Sequence, residues 1–326
     1  MTAAVRAGWR PPGRRELVGY LRGVRILHDP IDGTALIDAG EELDQYVWLH
    51  GRSAELSLAL LARHLPAGRP PKVLELGGAP YFFSALMGRT FGADLTAANV
   101  QAGSWPGEPP TVERGEVTLA VPGDGADGAE GSEGRLAIDV RVLNIERDPF
   151  PFPDDAFDLV LCMEVLEHLG YSPSHMLAEA HRVLRPGGLL LVTVPNFINL
   201  KRTVNMVFNR LTEFPYSGYG IYGRHQREYA PFEVRRLLEA CHFDVAALET
   251  ANVWPTFRES LVKGLGNAVL NGLGRLPLPW LVAKREYILC VAHPVGEPVA
   301  AYPWWLYRHR HLYPDPPHGV RKVLDG

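Results

Sequence analysis

Short apolar runs alternate with segments of helical periodicity through the middle of the chain. Between two of these runs, Met176, Ala180 and Val183 repeat at the three- and four-residue spacing of one helix face. Short buried strands that alternate with helices are typical of parallel sheets. The pattern therefore predicts an α/β fold with a doubly wound, mainly parallel sheet and helices on both faces. Seven runs are predicted as its strands: Lys72–Leu76, Ala93–Ala98, Leu136–Leu143, Phe157–Cys162, Leu189–Val194, Phe243–Leu248 and Glu286–Ala292.

The segments around these strands give the predicted domain organisation. Residues 1–70 are expected to form an N-terminal extension with a helix at Ser53–Leu65, which the proline- and glycine-rich segment 66–71 ends. Residues 71–295 form the main domain. The other predicted segments are two substrate-side insertions, 197–224 (with an amphipathic helix at Asn199–Leu211) and 251–283, and an aromatic- and histidine-rich tail, 296–326.

The segment 122–134 reads PGDGADGAEGSEG and differs in composition from its surroundings. It contains no aliphatic residue larger than alanine and alternates glycine with acidic residues. Such a segment cannot offset the conformational entropy that it would lose on ordering. We therefore predict a flexible surface loop that the fold does not need.

Composition and charge exclude several classes of protein. The chain has 33 basic and 37 acidic residues and a net charge of −4, whereas general nucleic-acid binders are usually basic, so no DNA partner is expected. Its three cysteines give neither a disulfide framework nor a paired zinc motif. The N-terminus lacks the apolar core of a signal peptide, and no apolar run reaches the roughly 18 residues of a spanning helix. These features predict a cytoplasmic protein without a transmembrane segment.

A glycine-rich turn, Gly77–Gly78, follows the first predicted strand of the main domain. Glycine lets the backbone approach a ligand closely, and the helix that follows offers free N–H groups. Asn99 lies about 20 residues further on, the separation expected between such a turn and a ribose-binding side chain. The turn by itself is compatible with nucleotide binding or with a simple reversal of the chain.

With three further segments, the sequence resembles the class I S-adenosylmethionine-dependent methyltransferases. The matching segments are Val73–Gly78, Asn144–Asp154, Phe157–His168 and Arg182–Pro195, in the family's order and spacing. The resemblance implies a Rossmann-like methyltransferase sheet and S-adenosyl-L-methionine as cofactor. It also implies the residues that would bind this cofactor: Glu75, Gly77, Gly78, Asn99, Asn144, Ile145 and Met163.

Four positions depart from the family's usual pattern. Asn99 stands where the ribose-binding residue is usually acidic, and Asn144 occupies the usual aspartate position that faces adenine. Ala79 and Tyr81 replace later glycines of the cofactor loop. An amide can still hydrogen-bond a diol, though more weakly than a carboxylate. A protein that keeps the fold but no longer binds cofactor is the alternative.

A cluster of acidic and histidine residues follows the fourth predicted strand. Glu164, Glu167 and His168 lie close together in sequence, and His225 comes much later. These segments are similar to those of metal-assisted O-methyltransferases of quinone biosynthesis and of small-RNA 3′ ends, which implies that all four residues could hold a divalent, Mg²⁺-type ion. His168 and His225 are otherwise candidate catalytic bases, because histidine has a suitable pKa. A purely structural helix cap is the third interpretation.

The leading functional interpretation is an O-methyltransferase that acts on a hydroxyl-rich acceptor. The segments 223–233 and Phe150–Asp154 are similar to those of bacterial methyltransferases from polysaccharide and secondary-metabolite pathways, which implies a sugar of a glycan, glycolipid or glycosylated metabolite. A lipid-linked acceptor would add peripheral membrane contact. The alternatives are an RNA ribose 2′-O-methyltransferase and a non-catalytic partner protein with the same fold. The sequence does not assign an oligomeric state.

Overall fold

A computed structural model describes residues 12–30, 40–66, 68–100, 113–123, 133–208, 224–253, 272–273, 276–301 and 321–323. Its helices are α1 Arg14–Arg22, α2 Gly40–His64, α3 Phe82–Phe91, α4 Ser174–Val183, α5 Leu200–Val207, α6 Pro231–Ala240 and α7 Pro279–Val282, with a 3₁₀ helix at Leu166–His168. Its strands are β1 Arg25–His28, β2 Lys72–Leu76, β3 Asp94–Asn99, β4 Arg114–Pro122, β5 Glu133–Val142, β6 Phe157–Met163, β7 Leu184–Pro195, β8 Phe243–Ala251, β9 Tyr287–Pro294, β10 Val299–Ala301 and β11 Arg321–Val323.

The α/β fold is confirmed, and the sheet has more strands than the sequence predicted. Nine strands form it, in the order β1-β4-β5-β3-β2-β6-β7-β9-β8, where seven were expected. The sheet is mixed: β2–β3 and β3–β5 pair in parallel, while β1–β4, β4–β5, β7–β9 and β8–β9 are antiparallel. The second sheet consists of β10 and β11.

The two unexpected strands, β1 and β4, lie where the sequence pattern is weakest. In β4, Val117 and Leu119 are fully buried on alternate positions, as expected for a strand with one covered face. Glycine- and acid-rich sequence flanks this short stretch, so the hydrophobic pattern did not predict a strand here. β1 is four residues long and mostly exposed, so it carries almost no hydrophobic signal. Pairing with neighbouring strands supplies the stabilisation that local sequence does not indicate.

The N-terminal extension is more ordered than expected. α2 begins at Gly40 rather than at Ser53, and α1 precedes it with four buried residues, Leu17, Val18, Tyr20 and Leu21. At the other end of the chain, β10 pairs in parallel with β11 within the predicted tail. Most of that tail, most of the 251–283 insertion and residues 209–223 lie outside the described residues.

The chain divides into two compact units. The first comprises Met1–Leu161 with Arg182–Leu189, and the second Cys162–His181 with Leu190–Gly326. In the first unit, buried Asp158 accepts from the Arg69 guanidinium at 2.6 Å and from the Lys72 backbone N–H at 2.8 Å, which fixes the start of β2. In the second, fully buried Ile288 and Cys290 of β9 pair with β7 and β8. The predicted domain boundaries stay a prediction.

Among the helices of the described ranges, none has the length and the apolar composition needed to cross a membrane.

The loop between β4 and β5 offers a direct test of the prediction that the segment 122–134 is dispensable. The strands remain paired up to Pro122 and Glu133, and residues 124–132 lie outside the described part of the chain. Replacing residues 124–131 with an Asn-Gly turn is expected to change the free energy of unfolding by less than about 1 kcal/mol, because loop-closure entropy varies slowly with length. Thermal melting and cofactor calorimetry check this. A large loss in either would mean that the segment packs or binds.

Candidate active site

Two of the predicted cofactor-binding positions, Gly77 and Asn99, meet at one edge of the sheet in the first unit. β2 and β3 pair in parallel up to Leu76 and Ala98, and the Gly77 N–H then donates to the Ala98 carbonyl at 2.8 Å. Asn99 is the last residue of β3 and pairs with Val142 at the end of β5. The carboxyl ends of β2, β3 and β5 therefore lie side by side. This is the edge at which α/β sheets bind ligands.

The turn after β2 favours glycine at both positions. Gly77 has a φ of +65°, a backbone conformation that most side chains disfavour. A Cβ on Gly78 would lie 3.0–3.1 Å from the side chain of Glu75. The buried Glu75 carboxylate also accepts from the Ser84 hydroxyl of α3. Burial raises the pKa of Glu75 to about 7, and the hydrogen bond from Ser84 opposes that shift. The Glu75 side chain thus packs against the glycine turn. Its hydrogen-bond partner Ser84 was not indicated by the sequence.

Asn99 is oriented by Tyr81, a residue that the sequence shows only as a departure from the family pattern. The Asn99 amide N–H donates to the Tyr81 hydroxyl oxygen at 2.8 Å, and both side chains are buried. The other amide atom, Asn99 Oδ1, is buried and has no hydrogen-bond partner within the described ranges. A buried acceptor of this kind costs free energy until a donor binds it. The arrangement suits acceptance of a hydrogen bond from a ligand hydroxyl.

Tyr81→Phe tests this orientation. The substitution removes only the hydroxyl and leaves the Asn99 amide without its acceptor. We expect a loss of about 1–3 kcal/mol in the free energy of unfolding and a several-fold loss in S-adenosylmethionine affinity. Denaturant melts and calorimetry measure the two effects. Tyr20→Phe, which removes another largely buried tyrosine hydroxyl, one that donates to the Ala85 carbonyl at 3.4 Å, is the control and should leave affinity unchanged. Parental affinity in Tyr81→Phe would contradict the assigned orientation.

Asn144 and Ile145 follow the end of β5. The Asn144 side-chain oxygen accepts from the Glu146 N–H at 3.0 Å, and the Asn144 N–H donates to the Asp148 carboxylate at 2.7 Å. These bonds close the turn, and Ile145 is buried within it. Met163 is partly buried at the end of β6. Contacts of these three residues with the cofactor stay predictions.

The second unit brings together three of the four residues of the predicted Glu–His cluster. Ligand atoms of Glu167, His168 and His225 all lie within 4.8 Å of one another. The two imidazole rings pack edge to face with centroids 4.9 Å apart. The N–H groups of Gln226 and Arg227 donate to the Glu167 carbonyl at 2.7 and 3.2 Å, which holds the distant His225 segment against the 3₁₀ helix. Residues nearly sixty positions apart in sequence therefore form one group.

The Glu167 carboxylate is buried and could still bind a proton or a cation. It is fully buried, and neither carboxylate oxygen has a hydrogen-bond partner within the described residues. Burial raises the pKa of Glu167 to about 7. A buried carboxylate without partners is costly unless it takes up a proton or pairs with a cation. One carboxylate and two imidazoles are donors that fit a divalent metal ion.

Glu164 is not part of this group of three. Its backbone has a φ of +54°, and one of its carboxylate oxygens lies 3.5 Å from the Thr193 hydroxyl. Desolvation and the nearby negative charge of Glu167 raise its pKa well above the ordinary value. Its predicted role as a fourth metal ligand stays a prediction.

Two functional candidates, Glu228 and Arg202, were missed by the sequence reasoning. One Glu228 carboxylate oxygen lies 2.9 Å from His225 Nδ1, and the other accepts from the Arg202 guanidinium. Burial opposes ionisation of Glu228, but its hydrogen bond to His225 and the Arg202 charge still lower its pKa. The hydrogen bond to Glu228 raises the pKa of His225, and the Glu167 charge adds to that shift. Glu228 and Arg202 are far apart in sequence, so no spacing indicates their contact.

Solved structures with a similar chain course include proteins from several archaea. A complex of the Haloferax volcanii Trm112 methyltransferase activator with a methyltransferase matches at a TM-score of 0.47 and 16% identity, over 82% of this chain and 100% of the matched one. An S-adenosylmethionine-dependent methyltransferase from Archaeoglobus fulgidus matches at 0.42 and 16% identity, over 76% and 99%. At these values the likenesses carry no functional conclusion.

Sequence comparison finds methyltransferase relatives over part of the chain. A methyltransferase-domain family model matches residues 124–192. A protein of Mycolicibacterium smegmatis described as a probable S-adenosylmethionine-dependent methyltransferase is 33% identical over 108 residues, 33% of this chain and 36% of the relative. An uncharacterised protein of Methanocaldococcus jannaschii is 50% identical over 46 residues, 14% of this chain and 20% of that protein. The chain thus spans well under half the length of both relatives. Over these segments the chain is similar to S-adenosylmethionine-dependent methyltransferases, in agreement with the resemblance seen in its sequence motifs.

Proposed function

We propose that the chain is an S-adenosylmethionine-dependent O-methyltransferase that acts on a hydroxyl-rich acceptor, a sugar of a glycan, glycolipid or glycosylated metabolite. The group formed by Glu167, His168 and His225 carries this proposal. The bound cofactor supplies an activated methyl group on a sulfonium centre. An alcohol is a poor nucleophile at neutral pH, so the protein must remove or weaken its proton. The three residues offer a base or a metal site for that step.

The base version assigns the proton to His225. Glu228 is held ionised by Arg202, and an ionised carboxylate can only accept hydrogen bonds. Its contact with Nδ1 therefore places the imidazole proton on that nitrogen, which leaves the lone pair of neutral His225 on Nε2. Nε2 is the atom that would accept the hydroxyl proton. His168, whose Nδ1 lies 3.1 Å from the Arg224 carbonyl, is the second candidate base.

The metal version uses the same residues as ligands. Glu167, His168 and His225, with Glu164 as the fourth residue that the resemblance implies, would hold a divalent ion of Mg²⁺ type. The unpartnered, buried oxygens of Glu167 support this version. Such an ion would acidify an acceptor hydroxyl.

Two other functions are less well supported. RNA ribose methylation would require a backbone-binding surface, and the net charge of −4 disfavours one. A non-catalytic partner would have no need of the buried, unpartnered acceptors on Asn99 and Glu167.

The proposal also includes a cytoplasmic location and peripheral membrane contact through a lipid-linked acceptor.

Two measurements test the proposal. Calorimetry with S-adenosylmethionine should show binding, and its absence would favour the non-catalytic alternative. Isotope-labelled cofactor should then transfer label to neutral glycans or glycosides and not to RNA. Label transferred only to RNA would favour the ribose 2′-O-methyltransferase. Label on a nitrogen or carbon acceptor would contradict the O-methyltransferase assignment.

A further inference from the structure

The second unit contains an open cavity of about 460 Å³. It lies next to Glu167, His168 and His225, which together are called the Glu–His group. Its volume lies within the range of about 300–1,000 Å³ that is typical of small-molecule sites. The segment after β7, the segment 225–230 and the start of α6 form its wall, with the lining residues Phe197, Ile198, His225, Gln226, Arg227, Glu228, Ala230, Phe232 and Glu233. His225 belongs both to this wall and to the Glu–His group, so the cavity adjoins that group.

Two exposed aromatic rings give the cavity an apolar surface. Phe197 is 41% exposed and Phe232 is 56% exposed. The Arg202 guanidinium lies over one side of the Phe197 ring at 4.4 Å, so the exposed part is the other face or the edge. The electron-rich face of an aromatic ring attracts weakly positive C–H groups. A sugar ring has such a C–H face and carries its hydroxyls around the rim.

The charged groups of the wall are already paired. Arg227 donates to Glu233 at 2.6 Å, and the second Glu233 oxygen accepts from the Ala230 N–H at 2.8 Å. Glu228 is held by His225 and Arg202. Among the described lining residues, Arg227 is therefore already paired, and the Arg236 guanidinium lies 5.8 Å from the centroid of the Phe232 ring. A wall that combines two aromatic rings with polar groups held in place by hydrogen bonds is suited to a neutral, hydroxyl-rich ligand.

We propose that this cavity binds the acceptor as a neutral sugar ring packed against Phe197 and Phe232, with one ring hydroxyl directed to His225. This rests on the proposed O-methyltransferase function and adds the location and class of the acceptor subsite. The two phenylalanines select the ring, and the paired charges exclude phosphorylated ligands.

Saturation-transfer NMR on the full chain tests the subsite without turnover. The probes are methyl glycosides of neutral hexoses and deoxyhexoses, hexose 6-phosphates and uridine. Ring C–H protons of at least one neutral glycoside should receive saturation, and Phe232→Ala should weaken its binding about threefold to tenfold. Phe197→Leu, which keeps an apolar side chain but removes the ring, should act similarly. Phe208→Ala is the matched control, since Phe208 is 69% exposed and does not line the cavity.

The outcomes separate the subsite from the proposed function. Parental glycoside binding in both Phe232→Ala and Phe197→Leu, no glycoside binding at all, or a preference for uridine or a hexose phosphate would each overturn the subsite. If such variants still methylate a glycan with unchanged KM, the function stands and the subsite is wrong. If glycosides bind and the two variants lose them, but no glycan accepts a methyl group, the subsite stands and the function is wrong.

Discussion

Gly77→Val is expected to abolish detectable S-adenosylmethionine binding in a protein that remains folded. Gly77 has a φ of +65° at the carboxyl end of β2, where the predicted cofactor site would require a close approach of the backbone. A branched side chain adds bulk at that position and strains the left-handed conformation by about 1–2 kcal/mol. Calorimetry measures the loss of binding, and circular dichroism confirms that the chain is folded.

A second glycine separates the loss of binding from the strain. Gly187 has a φ of +75°, and a Cβ there would meet nothing within 4 Å. Gly187→Val should therefore lower the melting temperature by a similar amount, yet bind cofactor as tightly as the parent. If Gly77→Val binds as well as Gly187→Val, the assignment of the glycine turn as the cofactor site is wrong.

The strands that the sequence predicted well are those with mostly apolar residues. β2 and β6 are buried along nearly their whole length, and apolar residues predominate in both despite Glu75 and Asp158. β4 has only a short buried stretch between exposed and half-buried positions, and β1 has no buried residue. Both owe their existence to pairing partners that sequence pattern does not reveal. Strand pairing can stabilise a segment whose own sequence has little strand character.

The candidate site likewise contains residues that the sequence indicated and residues that only the fold brings together. The resemblance to a known family indicated Glu75, Gly77, Glu167 and His225, which fall in similar segments, and the separation from the glycine turn indicated Asn99. Tyr81 has no such signal, since its contribution is a hydrogen bond to a residue at the end of another strand. Arg202 and Glu228 belong to α5 and to the segment before α6, so only the fold brings them together. Supporting residues of this kind cannot be read from spacing.

His225→Ala is expected to reduce methyl transfer by about 10²–10⁴-fold and to leave S-adenosylmethionine binding unchanged. His225 is the residue shared by the Glu–His group and the cavity, and its Nδ1 is fixed by Glu228. Single-turnover transfer of labelled methyl groups measures the first effect, and calorimetry the second. His242→Asn is the control: His242 lies in the same unit outside the cavity wall, and its φ of +59° suits asparagine.

The response to a chelator and to pH then distinguishes the two versions of the chemistry. With a metal, chelation should stop turnover, and Mn²⁺ alone should bind the parent but not His225→Ala or Glu167→Ala. With a base, the chelator has no effect, and only neutral His225 is active. Because Glu228 raises the pKa of His225, the acid limb of the rate profile should then lie above the ordinary histidine value of about 6.5. Glu228→Gln should move that limb to lower pH. Full turnover by His225→Ala would exclude both versions for this residue and leave His168 as the candidate base.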